Sequence, residues 1–258
     1  DQAIQKTEEV IEQAKRVKQG LMQNLFQEGP KPEKSDSEET RFGPVLTLSP
    51  THWDRAKIGD LYSEYQLGTA ERGSTEDGRQ IPLIKMGNLD FGTWDFSEVE
   101  MIDYDKELLE TYRLQEGDLL FNTRNTPELV GKTAVWDSEK DAIYDNNLLR
   151  LRFDDRIDSG HYVNYYLSSG IGRRQLRARV HGTTSVAAIY QGDLEQVKIP
   201  LPPLDEQRQI VQKLRGADRL VEQNSAVHDE LRRLKKSLMQ DLLTGEVRTM
   251  DKAIEVLG

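Results

Sequence analysis

The sequence predicts an α+β fold in which a mixed globular domain is inserted between two long helices, and three observations predict it. The first is the stretch 204–243, where Ala217, Leu220, Asn224, Val227, Leu231, Leu234 and Leu238 recur at alternating three- and four-residue steps. That spacing is the seam of a helix packed lengthwise on another helix. The second is a copy of this helix near the other terminus. Residues 16–26, RVKQGLMQNLF, match residues 233–243, RLKKSLMQDLL, at six of eleven positions with a constant offset of 217. The third is the region between them, where short apolar runs alternate with Gly, Asn and Asp turns, as short strands do.

The C-terminal helix has clear punctuation. Pro200, Pro202 and Pro203 prevent an earlier start, Asp205 is the expected N-cap, and Gly245 the expected stop. About forty helical residues at ~1.5 Å each make a rod of roughly 60 Å. The seam survives the offset: Ala3, Thr7, Val10, Ala14, Val17 and Leu21 match Leu220, Asn224, Val227, Leu231, Leu234 and Leu238. Shared register together with identity points to an internal duplication bracketing the insert.

In chain order, residues 1–28 form the first helix, with Lys6, Glu8, Glu9, Glu12, Lys15 and Lys18 on its polar face and Gly29-Pro30 ending it. Residues 29–50, rich in Pro, Ser and charge, read as a partly mobile linker. Residues 51–200 are the globular insert, with Trp53, Ile58, Leu61, Ile81, Leu83 and Ile84 as core. Its expected strands are 81–86, 118–122, 133–136, 147–153 and 197–201, and residues 160–180 are expected to be helical with a break near 170–172. Residues 201–258 are the long helix and a tail.

Composition restricts function. The 258 residues carry a net charge of -10 and no cysteine, so there is no disulfide framework, cysteine metal site or cysteine nucleophile. The four histidines are scattered, without metal-ligand spacing. No apolar run reaches spanning length and no signal peptide is visible, so the expectation is a soluble cytoplasmic protein without cofactor. Gly131-Lys132-Thr133 lacks the glycine five residues earlier that a phosphate-binding loop requires, because position 126 is Thr. Asn125-Thr126-Pro127-Glu128 is not the Asn/Asp-Pro-Pro-aromatic motif of amino-methyltransferases. The chain is expected to be non-catalytic.

One segment opposes the acidic average. Arg173, Arg174, Arg177, Arg179 and His181 occur with no acidic residue between Ser159 and Asp193. Thr183, Thr184 and Ser185 follow, with hydroxyl and backbone donors. This combination suits a phosphate backbone, where arginines displace counterions and hydroxyls fix register; a solvated basic face paired with acidic neighbours is the alternative. A second cluster is Asn122, Arg124 and Asn125, residue types that pair with adenine or guanine edges, although Asn, Thr and Pro also simply make turns. Lys85, Asn88, Arg72 and Arg79 lie near turns and could add contacts. A coiled-coil scaffold with no DNA role is the competing class, favoured by the net charge and opposed by the arginines.

These residues carry a resemblance. The segment 119–135, LLFNTRNTPELVGKTAV, Gly182-Thr-Thr-Ser followed by residues 199–207, IPLPPLDEQ, and the final 234–247, LKKSLMQDLLTGEV, resemble the specificity subunits of type I restriction-modification systems. Trp53, Ile58-Gly59-Asp60, Ile81-Pro82 and Met86-Gly87-Asn88 resemble the start of a target recognition domain of that family. The resemblance implies two recognition domains per full subunit, each followed by a conserved helix, with the helices paired as an antiparallel coiled coil. Each domain reads half of a split double-stranded DNA target. Methyltransferase subunits dock on the specificity subunit and translocase-nuclease subunits join them. This chain has one recognition domain, as expected of the C-terminal half of a full subunit or of a half-subunit that dimerises through its helices.

Overall fold

The computed structural model describes residues 1–34, 36–71, 80–183 and 185–244. Two units emerge: Asp1–Lys18 with the helix from Arg215 onward, and Gln19–Leu214. The helices are α1 (Gln2–Glu28), α2 (Lys106–Tyr112), α3 (Gly160–Ser168), α4 (Gly170–Arg177), α5 (Gln191–Glu195) and α6 (Leu204–Thr244). The strands are β1 (Ser37–Phe42), β2 (Val45–Pro50), β3 (Asp54–Lys57), β4 (Tyr62–Leu67), β5 (Gln80–Ile84), β6 (Glu100–Asp103), β7 (Leu119–Asn122), β8 (Arg124–Asn125), β9 (Thr133–Val135), β10 (Ile143–Tyr144), β11 (Leu148–Phe153), β12 (His181–Gly182), β13 (Ala187–Ala188) and β14 (Lys198–Leu201). Mixed α+β architecture with a long C-terminal helix is therefore observed. The five expected strands correspond to β5, β7, β9, β11 and β14. The 160–180 segment does break, but at Ser169 and not at 170–172, which are the first residues of α4; the Ser169 hydroxyl caps α4 by accepting from the Gly172 amide at 3.1 Å.

The globular unit is built on the sheet β4-β11-β7-β9, antiparallel throughout. Leu119, Leu120 and Phe121 are wholly buried, as expected of an apolar run covered on both faces. Arg150 and Arg152 on β11 would be costly to bury alone. Both pair with Glu64, and the Arg152 Nε also meets Asp118 at 2.6 Å. Burial holds the Tyr162 and Tyr166 phenols well above their usual range, so both stay protonated. Their hydroxyls donate to the carbonyls of Pro200 and Lys198, each at 2.9 Å, fastening α3 to β14. Phe26, at the end of α1, fills the space beside them, with ring centroids 5.7 and 5.2 Å away.

The exit of the insert is tied to its entry. β14 pairs antiparallel with β3. At the start of α6, Gln207 is wholly buried; its amide donates to the carbonyls of Arg156 and Pro202, and its oxygen accepts from the Asp158 amide. Glu206 accepts from the Trp53 indole Nε1 at 2.8 Å. Asp205 lies inside the first turn of α6, where it accepts from Gln209, instead of capping it. Gly245 lies outside the described residues. Trp53→Phe keeps an aromatic ring and removes a hydrogen bond to a charged acceptor. It should lower unfolding stability by about 1.5–3 kcal/mol, seen as a lower denaturant midpoint at unchanged slope.

Residues 29–50 are not a linker throughout. β1 and β2 form a two-stranded ribbon in full register, turned at Gly43 with φ +57 and contributing Phe42 and Val45 to the core. Its other face stays in solvent, with Leu46 and Leu48 exposed. Glu39 and Arg41, opposite those leucines on the same face, make the segment read as a connector.

In the helical unit the seam is displaced by one residue at alternate positions. Val10, Val17, Leu220, Val227, Leu234 and Leu238 are each about half exposed. The less exposed positions are Ile4, Thr7, Ile11 and Ala14 on α1, and Val221, Asn224, His228 and Leu231 on α6. These two sets also match at the offset of 217. His228, a polar residue, lies on this less exposed stripe. Its Nδ1 lies 3.1 Å from the Thr7 hydroxyl and its Nε2 3.6 Å from Glu8. Glu8 also meets Arg232 at 3.6 Å, Asp1 pairs with Lys235, and Lys18 with Asp218.

Candidate nucleic-acid interface

The two polar clusters are far apart in sequence, yet β8, β13 and β12 join them in one small sheet. Ala187 pairs with Asn125 and with Gly182; Ala188 pairs with Arg124 and with His181. Side chains alternate across a strand, so Asn125 shares the inner face with Ala187, and Arg124 and His181 share the outer face with Ala188. Exposure agrees: Ala187 is buried, whereas Arg124, His181, Thr183 and Ser185 are exposed.

The loop beneath is held by its asparagines. Asn122 is wholly buried; its amide donates to the carbonyls of Arg124 and Asn147, and its oxygen accepts from the Asn125 amide at 3.0 Å. The Asn125 oxygen accepts from the Thr126 amide. Asn122 therefore shapes the loop rather than offering an edge to a ligand, and Asn125 is largely engaged in the same task. Arg124 is the cluster member presented to solvent. Gly131 closes the loop with φ +82, packed so tightly that a Cβ would lie 3.3 Å from Ile189 and Leu176.

The arginines divide by role. The Arg173 guanidinium sits over the Phe91 ring, its Cζ 3.3 Å from the centroid, and donates to the Glu128 carbonyl at 3.4 Å. Burial, with repulsion from Arg177, pushes its pKa down to about 10, so it keeps its charge at neutral pH. Arg174 and Arg177 are exposed. With Arg173, Ser168 and Gln23 they line a cleft of about 540 Å³. Arg179 is structural: it donates to the carbonyls of Gln175 and Gln196 at 2.8 and 3.0 Å. His181 meets Asp193 at 3.1 Å and lies beside the Tyr190 ring.

The remaining candidates lie elsewhere. Lys85 and Asn88 belong to the turn after β5, in a different sheet. Lys85 pairs with Glu100 at 2.8 Å. Asn88 is buried, accepting from the Lys85 amide and donating to the carbonyls of Asp95 and Glu98, so it serves the turn. Thr184, Arg72 and Arg79 lie outside the described residues. Sequence reasoning missed Phe91, the platform under Arg173, and Val186 and Tyr190, both exposed beside the ribbon.

The family model described as "Type I restriction modification DNA specificity domain" matches residues 50–233. The chain belongs to this family. Within this type I specificity family it is 27% identical over 244 residues to the type I restriction enzyme MjaVIII specificity subunit of Methanocaldococcus jannaschii, covering 92% of this chain and 55% of that protein. It is 24% identical over 216 residues to the EcoKI specificity subunit of Escherichia coli, covering 80% of this chain and 46% of that protein. The fold matches the HsdS subunit from Thermoanaerobacter tengcongensis with a TM-score of 0.54 at 19% identity, over 95% of this chain and 54% of that one. The chain spans about half the length of the curated relatives it matches.

If α4 holds phosphates, Arg177→Ala weakens binding to every duplex alike. It should also reduce the slope of log affinity against log salt by about 1. Titrations at several salt concentrations check this, and an effect on one sequence only would exclude it.

Proposed function

We propose that this chain reads one half of a split double-stranded DNA target for a type I restriction-modification complex, as a non-catalytic specificity subunit. The observation that carries the reading, beside family membership, is the outer face of β8-β13-β12. Arg124 stands exposed there beside the hydroxyls of Thr183 and Ser185, and an exposed arginine suits a bidentate pair with a guanine edge in the major groove. Arg173, Arg174 and Arg177 on α4 supply the sequence-independent attraction to phosphate. Arg179 acts indirectly, by holding the end of α4.

The helices position partners. We infer that α1 and α6 pair as an antiparallel coiled coil; the ion pairs Asp1 with Lys235, Glu8 with Arg232 and Lys18 with Asp218 run in opposite directions along the two helices and support this. The exposed stripe of Val10, Val17, Leu220, Val227 and Leu234 suits docking of methyltransferase subunits, which the translocase-nuclease subunit then joins. The duplication supports a two-domain reader. Met22, Leu25 and Phe26 are buried in the insert's core, whereas their counterparts Met239, Leu242 and Leu243 are exposed. These counterparts suit a second recognition domain, from a longer chain or a second copy.

Assembly tests this. Mixed with its cognate methyltransferase subunits, the chain should form a complex of defined mass in native mass spectrometry. Failure of the unaltered chain to bind those subunits would contradict the docking role.

A further inference from the structure

We propose that Val186 determines specificity by packing against the 5-methyl group of a thymine in the major groove. The inference rests on the reading above that β8-β13-β12 faces DNA, and adds the base it recognises and the residue responsible.

Val186 directly precedes Ala187, whose side chain is buried. Val186 extends the pairing of β13 by one residue, its carbonyl accepting from the Thr183 amide, and alternation along that extension turns it away from the buried side of Ala187, toward the side that carries Ala188 and Arg124. It is 61% exposed, a β-branched apolar side chain set among polar ones. Single exposed valines are ordinary on protein surfaces, so exposure alone decides nothing. The scaffold is what distinguishes this one. The Thr183 amide donates to the Val186 carbonyl at 2.8 Å, and the Val186 amide donates to the Thr183 hydroxyl at 3.4 Å. Gly182 has φ +133, and a Cβ there would lie 2.2 Å from the Val186 carbonyl oxygen, so the hairpin can close this tightly only on glycine. Ala187 and Ile189 anchor the strand in the core, and the Ile189 amide donates to the Thr123 carbonyl at 3.0 Å. The valine is thus held next to a strand anchored in the core, with Arg124 exposed on the neighbouring strand.

In the major groove thymine alone among the four bases offers a methyl group, and apolar side chains read it by contact. A valine between hydroxyl and guanidinium donors fits a site in which the arginine takes a guanine and the valine a nearby thymine. Removing the methyl leaves Watson–Crick pairing and groove donors unchanged, so its contribution can be isolated.

The test uses the full chain assembled with its cognate methyltransferase subunits, and duplexes carrying the selected target with each thymine replaced in turn by deoxyuridine. One position should lose about fourfold in affinity, the worth of one buried methyl. With Val186→Ala, that position should no longer distinguish thymine from deoxyuridine, while the other positions behave as in the parent. A target that binds tightly yet contains no thymine whose methyl matters overturns the proposal, and so does a Val186→Ala variant that keeps the distinction. Those outcomes leave DNA recognition intact. Absence of any selected target would instead remove the underlying reading as well.

Discussion

Arg124→Ala should lower affinity for the cognate duplex by roughly 5- to 150-fold while leaving affinity for unrelated duplexes almost unchanged. The range follows from one bidentate arginine–guanine contact, worth about 1–3 kcal/mol. The asymmetry follows from position. Arg124 lies on the outer face of the ribbon, with its backbone fixed by pairing to Ala188 and by the Asn122 amide. If Arg124 reads a base as proposed, truncating it removes that contact without disturbing the loop that carries it. Competition titrations against cognate and single-base-pair variants should show discrimination relaxing at one base pair. Equal losses on all sequences would move Arg124 to the phosphate-binding group with Arg177.

The second large effect separates the two copies of the duplicated helix end. Phe26→Ala should destabilise the chain by about 3–5 kcal/mol, the usual cost of truncating a fully buried phenylalanine. Phe26 has no exposed surface and touches both Tyr162 and Tyr166, which relax poorly because their hydroxyls are engaged with β14. Leu243→Ala, at the equivalent position of α6 and 84% exposed, should change stability by no more than about 0.5 kcal/mol. Chemical denaturation of the two variants measures both. Comparable losses would mean that the α6 end is already buried in a partner under the conditions used.

Much of the fold is legible in the sequence, and the exceptions have physical causes. Three of the four strands of the main sheet are apolar runs such as Leu119-Leu120-Phe121, which are legible as strands, whereas β4, the edge strand, is mostly exposed and polar and gives no such signal. Prolines mark the helix ends, and small residues mark the break at Ser169. The β1-β2 ribbon is hidden because its outer positions, Glu39 and Arg41 among them, face solvent, so half its residues read as a charged linker. The seam falls one residue off at alternate positions because two apolar stripes lie side by side on each helix. The buried stripe on α6 includes His228, whose partners Thr7 and Glu8 are about 220 residues away.

At the interface the residue types are informative and their division of labour is not. Asn122 and Asn88 have the chemistry of base readers, but both carboxamides are engaged by backbone groups, a fact that composition cannot express. Arg179 is likewise indistinguishable from Arg177 in sequence; only its carbonyl partners set it apart. Val186 carries no signal at all, because it lies just outside β13 in a short segment of small and hydroxyl residues that has no apolar pattern to read.

The most direct test of DNA-sequence recognition is selection from a randomised duplex pool at two salt concentrations, with and without the cognate methyltransferase subunits. Enrichment of a short motif, stronger with those subunits and retained at the higher salt, is the predicted result. Binding without enrichment would leave only a phosphate-binding surface, and no binding in any condition would contradict DNA recognition by this chain.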